Sequence, residues 1–290
     1  MSRLTEPSEI RRLLDAHGFR FSKSMGQNFL IDAAVPERIA ESAMVDRNCA
    51  VLEIGPGIGC LTTELAARAG KVLAVELDRR LRPLLEETLC GADNVEILFA
   101  DVMKQDINKL AEEKLTLPSK LVCANLPYNI TSPVLTALID AGCFERICVM
   151  IQKEVAERIC SSPGGKDYGA FGLFVQWHYE PELLFTVPPH CFMPMPKVTS
   201  AVIRLTKRRE PLTAVRDEAL LFRVIRAAFN QRRKTLPNAL SAAMPELSRE
   251  DCERILKLCD FETNIRGEKL NLVDFARISN EISNLGISDL

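Results

Sequence analysis

Between residues 50 and 160, short apolar runs alternate with helical patterns, and this alternation limits the fold more than any other feature of the chain. Ala50–Ile54 is the first run. A glycine-rich loop follows it, then the helical pattern Leu61–Ala69. Val72–Val75 and Arg80–Leu89 repeat the pair. Val95–Phe99, Leu121–Ala124 and Ile147–Ile151 are further apolar runs, the last leading into helical Lys153–Ile159. Runs without polar alternation are what strands covered on both faces require, and their interleaving with helices predicts a parallel sheet. Later the pattern changes. Leu183–Val187 and Ser200–Leu205 are strand-like, and no helical pattern separates them. Their connection, Pro188–Lys197, contains four prolines. That suits a final antiparallel pair, so the expected class is α/β: a Rossmann-like sheet, mostly parallel, with its last strand antiparallel.

Residues 1–48 read as polar and helical with a loop around Ser22–Phe29. Lys207–Thr213 is a charged linker with a proline, and it places a domain boundary between 1–206 and 207–290. Beyond it, Leu220–Phe229, Arg233–Ala243 and Arg249–Leu258 have amphipathic helical spacing, which predicts a small helical domain. A chain of 290 residues is long enough for one large core and a smaller one. No apolar run approaches the roughly 20 residues of a membrane helix, and the N-terminus lacks the apolar centre of a signal peptide. The expectation is a cytoplasmic protein without membrane contact. The 10 cysteines include no CxxC pair and the 3 histidines are scattered, so reduced thiols are expected and no metal site. Net charge is −2, which gives no general support to nucleic-acid binding; only local basic clusters can.

The segment Val51–Gly59 runs off the first strand into a helix. Gly55, Gly57 and Gly59 allow a tight turn and close approach of a ligand to bare backbone. Glu76 ends the second strand, where a carboxylate can accept both hydroxyls of a ribose. Asp101, after the third, can accept from the amino group of an adenine ring. All would face the carboxyl edge of the sheet. The dinucleotide fingerprint wants a third glycine where Cys60 stands, together with room for a pyrophosphate. The compact loop suits a smaller ligand with an amino-acid end, which favours S-adenosylmethionine over NAD.

After the fourth strand comes Asn125-Leu126-Pro127-Tyr128. An exocyclic adenine amine is a poor nucleophile because its lone pair is delocalised into the ring. Two acceptors, the Asn125 side-chain oxygen and the Leu126 carbonyl, can take its hydrogens and draw the lone pair back onto nitrogen. Pro127 fixes the backbone so that this carbonyl points outward, and Tyr128 offers a flat face to an unstacked base.

At these residues the chain resembles the KsgA family of ribosomal RNA adenine dimethyltransferases, from about Gly26 to Arg277. Gly26-Gln27-Asn28-Phe29-Leu30 resembles that family's opening segment, and the resemblance implies that Asn28 and Leu30 contact the methionine end of S-adenosylmethionine. It likewise implies cofactor roles for Gly55, Gly57, Gly59, Glu76, Asp101 and Asn125, with S-adenosylhomocysteine as product. Ala100 stands where the family usually has glycine. Gln152–Arg158 and Phe192–Val198 match further segments, and Phe192 is expected against the target base from the side opposite Tyr128. Phe229–Leu236 with Asn238, and Arg266–Leu270, resemble the family's helical-domain signatures.

The implied activity is dimethylation of two adjacent adenosines in the 3′-terminal hairpin of small-subunit rRNA, within a pre-ribosomal particle. Arg223, Arg226, Arg232, Arg233 and Lys234 make the helical region locally basic, with Lys207, Arg208 and Arg209 in the linker; they are expected to contact phosphates. No heptad or apolar stripe asks for a dimer, so a monomer is expected. Two alternatives stay open: a macrolide-resistance-type enzyme acting on large-subunit rRNA, which shares loop and tetrad, and a largely non-enzymatic assembly factor. A DNA adenine methyltransferase is disfavoured by Leu126, where those enzymes carry proline.

Overall fold

A computed structural model describes residues 3–21 and 27–285 of the chain; Gly26 and most of the loop expected over Ser22–Phe29 lie outside the described residues. In chain order the elements are α1 (Pro7–Ala16), β1 (Phe29–Leu30), α2 (Ala34–Ser42), β2 (Cys49–Ile54), α3 (Cys60–Arg68), β3 (Lys71–Glu76), α4 (Arg82–Thr88), β4 (Val95–Phe99), α5 (Ile107–Lys114), β5 (Ser119–Asn125) and α6 (Thr131–Ala141). There follow β6 (Arg146–Gln152), α7 (Lys153–Ile159), α8 (Ala170–His178), β7 (Tyr179–Val187), β8 (Phe192–Met193), β9 (Ser200–Lys207), α9 (Glu218–Asn230), α10 (Leu236–Ala243), α11 (Arg249–Leu258) and α12 (Leu272–Asn284).

Seven strands form one sheet in the order β4-β3-β2-β5-β6-β9-β7, and β1 pairs with β8 in a separate ribbon. The pairings β4–β3, β3–β2, β2–β5 and β5–β6 are parallel, while β9 runs antiparallel to β6. This is the expected mostly parallel sheet with a late antiparallel strand. β2 is buried along its whole length because helices cover both faces, which is why its sequence is apolar apart from Glu53. Chain order reverses at β2, between β3 and β5, so the ends of those strands open a crevice at the carboxyl edge.

The chain divides into two compact units. One runs to Ala156 and resumes over Pro181–Lys207; the other takes Glu157–Glu180 and the chain from Arg208 onward. A single cut after 206 therefore misses an excursion: Glu157–Glu180 belongs with the C-terminal helices. The reason is packing within that second unit. Tyr168, Leu173 and Trp177 share one core with Leu221, Val224, Leu240, Ile255, Phe275 and Ile278.

The helices of the second unit start where the backbone donors find acceptors. Asp217 accepts from Leu220 N at 3.0 Å ahead of α9. Ser248 with Asp251, and Asn271 with Asp274, form reciprocal capping boxes at α11 and α12. The helix expected over Arg233–Ala243 begins only at Leu236, after a turn. No membrane-crossing helix occurs among the described residues, since none is long and apolar enough.

Gly70, at the turn from α3 into β3, has no room for a side chain: a Cβ there would lie 2.2 Å from the Arg47 carbonyl oxygen and 2.6 Å from Leu117 Cδ1. Backbone cannot retreat as a flexible side chain can. Gly70→Ala is expected to cost about 3 kcal/mol, as overpacking of a closed site does, read as a lowered urea midpoint at unchanged slope.

Candidate active site

The carboxyl ends of β2, β3, β4 and β5, together with the start of β1, enclose one cavity. Asn28, Leu30, Glu53, Gly55, Gly57, Glu76, Asp101, Asn125, Leu126, Pro127 and Tyr128 all line it. Residues expected to hold a nucleoside and residues expected to activate an amine thus meet in one place, within the first unit.

Each wall has a local cause. Gly57 has φ +60°, and a Cβ on it would meet the Phe29 ring at 3.1 Å. The loop is therefore sealed on one side by the β1 segment and bare toward the cavity. Gly57→Ala adds left-handed strain and pushes against Phe29; cofactor affinity, measured by titration calorimetry with S-adenosylhomocysteine, is expected to fall at least tenfold. Gly59, at φ +93°, is the residue before α3 and packs against Thr88 and Leu89. It makes the turn and is not part of the cavity wall.

Glu76 is 6% exposed. One carboxylate oxygen accepts from Asp78 N at 2.8 Å and the other from Gly57 N at 3.3 Å. Burial raises its pKa and these amides oppose the rise. Asp101 is oriented by Met103 N at 3.0 Å.

Glu53 was not singled out by motif, yet it is the most perturbed carboxyl of the cavity. It is 1% exposed, and its Oε2 has no hydrogen-bond partner among the described residues. Burial pushes its pKa up to about 8; the neighbouring Thr62 hydroxyl opposes the rise without forming a hydrogen bond of good geometry, and repulsion from Glu76 adds to it. The signal available in the sequence was one charge inside an otherwise apolar strand.

Two buried carboxyls facing one cavity fit a ligand that is cationic at one end and carries ribose hydroxyls. They do not fit a pyrophosphate, which needs N–H donors and cations where this wall presents two carboxyls. The donor set, the unpartnered Oε2 and the bare glycine turn fit S-adenosylmethionine, which would be held by Asn28 and Leu30, the Gly55–Gly57 turn, Glu76 and Asp101.

On the opposite wall, Asn125 ends β5 in register with Met150 of β6. Its side chain takes no partner among the described residues. Leu126 N donates to the Met150 carbonyl at 3.1 Å, and the Leu126 side chain is 1% exposed, so the peptide between Asn125 and Pro127 is fixed at both sides. Pro127 has φ −58°, and its carbonyl accepts from Ile130 N and Thr131 Oγ1, both at 3.2 Å. The Tyr128 and Ser200 hydroxyls share a hydrogen bond of 2.6 Å.

Phe192 departs from expectation. Its side chain is 3% exposed in the core with Leu30, its antiparallel neighbour, and is not on the cavity wall. A ring locked between β1, α2 and the sheet has no face left for a base.

The basic residues of the second unit divide likewise. Arg232 Nε meets Glu268 at 2.9 Å, and its other nitrogens donate to the carbonyls of Gly165 and Lys166. Arg223 lies 2.5 Å from Glu246 in an ion pair whose angle is too poor for a hydrogen bond. Both charges are spent internally. Arg226, Arg233 and Lys234 are exposed and have no ion-pair partner among the described residues.

The Arg266–Leu270 signature is also architectural. A Cβ on Gly267 would lie 2.7 Å from Ala228 Cβ, and the Leu270 carbonyl accepts from the buried Tyr168 hydroxyl at 2.9 Å.

The chain matches the family described as "Ribosomal RNA adenine dimethylase" over residues 18–282. It belongs to that family. Among the relatives of the family, the "Ribosomal RNA small subunit methyltransferase A" of Geobacillus sp. strain WCH70 is 43% identical over 286 residues, covering 97% of this chain and 98% of the relative. The protein of the same name from Lachnoclostridium phytofermentans is 46% identical, with 97% and 98% covered. In fold, a dimethyladenosine transferase from Plasmodium falciparum superposes with a TM-score of 0.77 at 24% identity, covering 89% of this chain and 98% of that one. The 23S rRNA methyltransferase ErmE superposes with a TM-score of 0.67 at 27% identity, covering 88% and 99%. Members of the family are methyltransferases, and a cavity fitted to S-adenosylmethionine is what such chemistry needs.

Proposed function

We infer that this protein transfers methyl groups from S-adenosylmethionine to the N6 amine of adenosine in small-subunit ribosomal RNA, acting on the two adjacent adenosines of the 3′-terminal hairpin and placing two methyls on each. The observation that carries this reading is the single cavity lined both by Glu53, Glu76 and Asp101 and by Asn125–Tyr128. When bound, S-adenosylmethionine supplies an electrophilic methyl on a sulfonium.

The rest falls to the chain. Glu76 accepts from the ribose and Asp101 from the adenine amino group of the cofactor, which fixes the reach of the methyl. Asn125 Oδ1 and the Leu126 carbonyl accept the two hydrogens of the target amine, so positive charge developing on nitrogen meets two dipoles carried on a backbone that the β6 ladder fixes. Tyr128 stacks the unpaired base and holds the amine in line. The proton leaves to solvent, because a methylated, positively charged amine is a strong acid.

The small-subunit target is supported by the 43–46% identity to small-subunit relatives over nearly the full length, against 27% to the 23S enzyme. The partner is rRNA within a pre-ribosomal small subunit, approached by a monomer. Of the five basic residues expected in the helical region, Arg226, Arg233 and Lys234 are left to meet phosphate, since Arg223 and Arg232 are committed to Glu246 and Glu268; in the linker, Arg208 is paired with Glu180 and Arg209 stays exposed.

The test is transfer of labelled methyl to unmethylated small subunits, large subunits and naked rRNAs, with the modified base mapped. Dimethyladenosine near the 3′ end of small-subunit RNA is the expected product. Label confined to the large subunit would replace the substrate and keep the chemistry. Cofactor binding with no label anywhere would move the reading to an assembly role.

A further inference from the structure

Ser200 is wholly buried, at 0% exposure, at the start of β9. A buried hydroxyl needs a partner. The one hydrogen-bond partner of its side chain among the described residues is the Tyr128 hydroxyl, 2.6 Å away. Ser200 itself cannot move: its Cα stands in antiparallel register with Gln152 of β6, and the preceding residue accepts from Lys153 N at 3.0 Å through the Thr199 carbonyl. Asn125 is held by the other edge of the same β6 strand, in register with Met150. The tyrosine therefore reaches from the end of β5 past β6 to β9, and both ends of the amine-binding wall are referred to one rigid ladder.

Without the anchor, a half-buried tyrosine in a short turn keeps two side-chain torsions to be frozen each time a base arrives. With it, ring tilt is set beforehand. The geometry also removes a competing role. A hydroxyl tied to a buried serine and pushed upward in pKa by burial does not serve as an acid or base near neutral pH.

We propose that Ser200 is a positioning residue for methyl transfer, holding the Tyr128 hydroxyl so that the ring face stays set to receive the target adenine beside Asn125. This rests on the reading of Tyr128 as the surface on which the base stacks.

The test is a double-mutant cycle with unmethylated small subunits as substrate. The variants are Ser200→Ala, Tyr128→Phe and the pair together, with Ser200→Thr as the conservative replacement and Tyr128→Ala as the control on the base-stacking role. S-adenosylhomocysteine affinity and thermal midpoint are measured alongside. Ser200→Ala and Tyr128→Phe are each expected to lower kcat about five- to tenfold, the effect of one lost hydrogen bond that acts on the reacting geometry. The double variant is expected to be no slower than the slower single one. Ser200→Thr, which keeps the hydroxyl, should recover most of the rate, and cofactor affinity should stay within twofold throughout.

Losses that multiply in the double variant, or a Ser200→Ala enzyme at wild-type kcat beside a crippled Tyr128→Ala, overturn the proposal. Should Ser200→Ala not fold, Tyr128→Phe breaks the same bond from the other side, and wild-type kcat in that variant overturns it equally. An active Tyr128→Ala would instead sink the base-stacking reading itself, and the proposal with it.

Discussion

Asn125→Ala is expected to reduce methyl transfer by at least ~10²–10³-fold, the effect of deleting one preorganised dipole aimed at developing charge. The residue ends β5, its backbone is held by the β6 ladder, and its side chain is half-buried on the cavity wall. Truncation removes an acceptor without opening the core, since the neighbouring Ala124 and Leu126 keep their burial. Thermal midpoint should therefore hardly change. Affinity for the cofactor should fall less than the rate does, because Glu76 and Asp101 remain. The decisive measurement is single-turnover transfer at saturating cofactor. A variant within a few-fold of wild type would mean that the tetrad does not activate the amine. Asn125→Asp adds a negative charge next to the developing positive one but loses the amide donor, so partial activity there would separate electrostatics from shape.

The second large effect concerns pH. Glu53 has a folded-state pKa near 8 against an ordinary value of 4.5, because burial disfavours its charge. A carboxyl with a raised pKa makes its full contribution to stability below about pH 4.5. That contribution is lost as pH rises through 8, where the folded chain must bear a buried anion or keep a proton that the unfolded chain has released. Across this window the loss amounts to up to about 5 kcal/mol for a shift of that size. Glu76, raised in the same direction, adds to the slope. Glu53→Gln keeps the shape and removes the titration. Its urea stability, measured without cofactor, is expected to be nearly flat in this respect from pH 5 to 9. Wild type should lose ground steadily against it. Parallel curves for the two proteins would mean that the Glu53 proton does not govern the empty cavity. The same buried charge has a use when a cationic ligand arrives, so the variant that gains stability at high pH is expected to bind S-adenosylmethionine less well.

Much of this protein was legible from the chain alone. The apolar runs of β2 to β6 and the helices between them follow from burial on both faces, which leaves no position for polar alternation. The glycine turn, Glu76, Asp101 and Asn125–Tyr128 were legible because each stands at the end of such a run, and a parallel sheet brings all strand ends of that kind to one edge. The residues that turned on tertiary contacts were not.

Phe192 follows a chemical pattern that suits a base, but its pairing with Leu30 turns the ring into the core. Arg223 and Arg232 look like phosphate ligands until Glu246 and Glu268 are found beside them, the latter 36 residues away in sequence. Residues 157–180 read as part of the sheet domain until the side chains of Tyr168 and Trp177 are seen in the helical core. Helix α12 is a plain amphipathic helix with a capping box, and it carries no chemical motif that marks it in the sequence. Local sequence determines where a strand ends and which backbone groups it leaves open. Which charge is neutralised, which ring is covered and which carboxyl stays dry depend on residues distant in the chain, and only the tertiary structure brought them together.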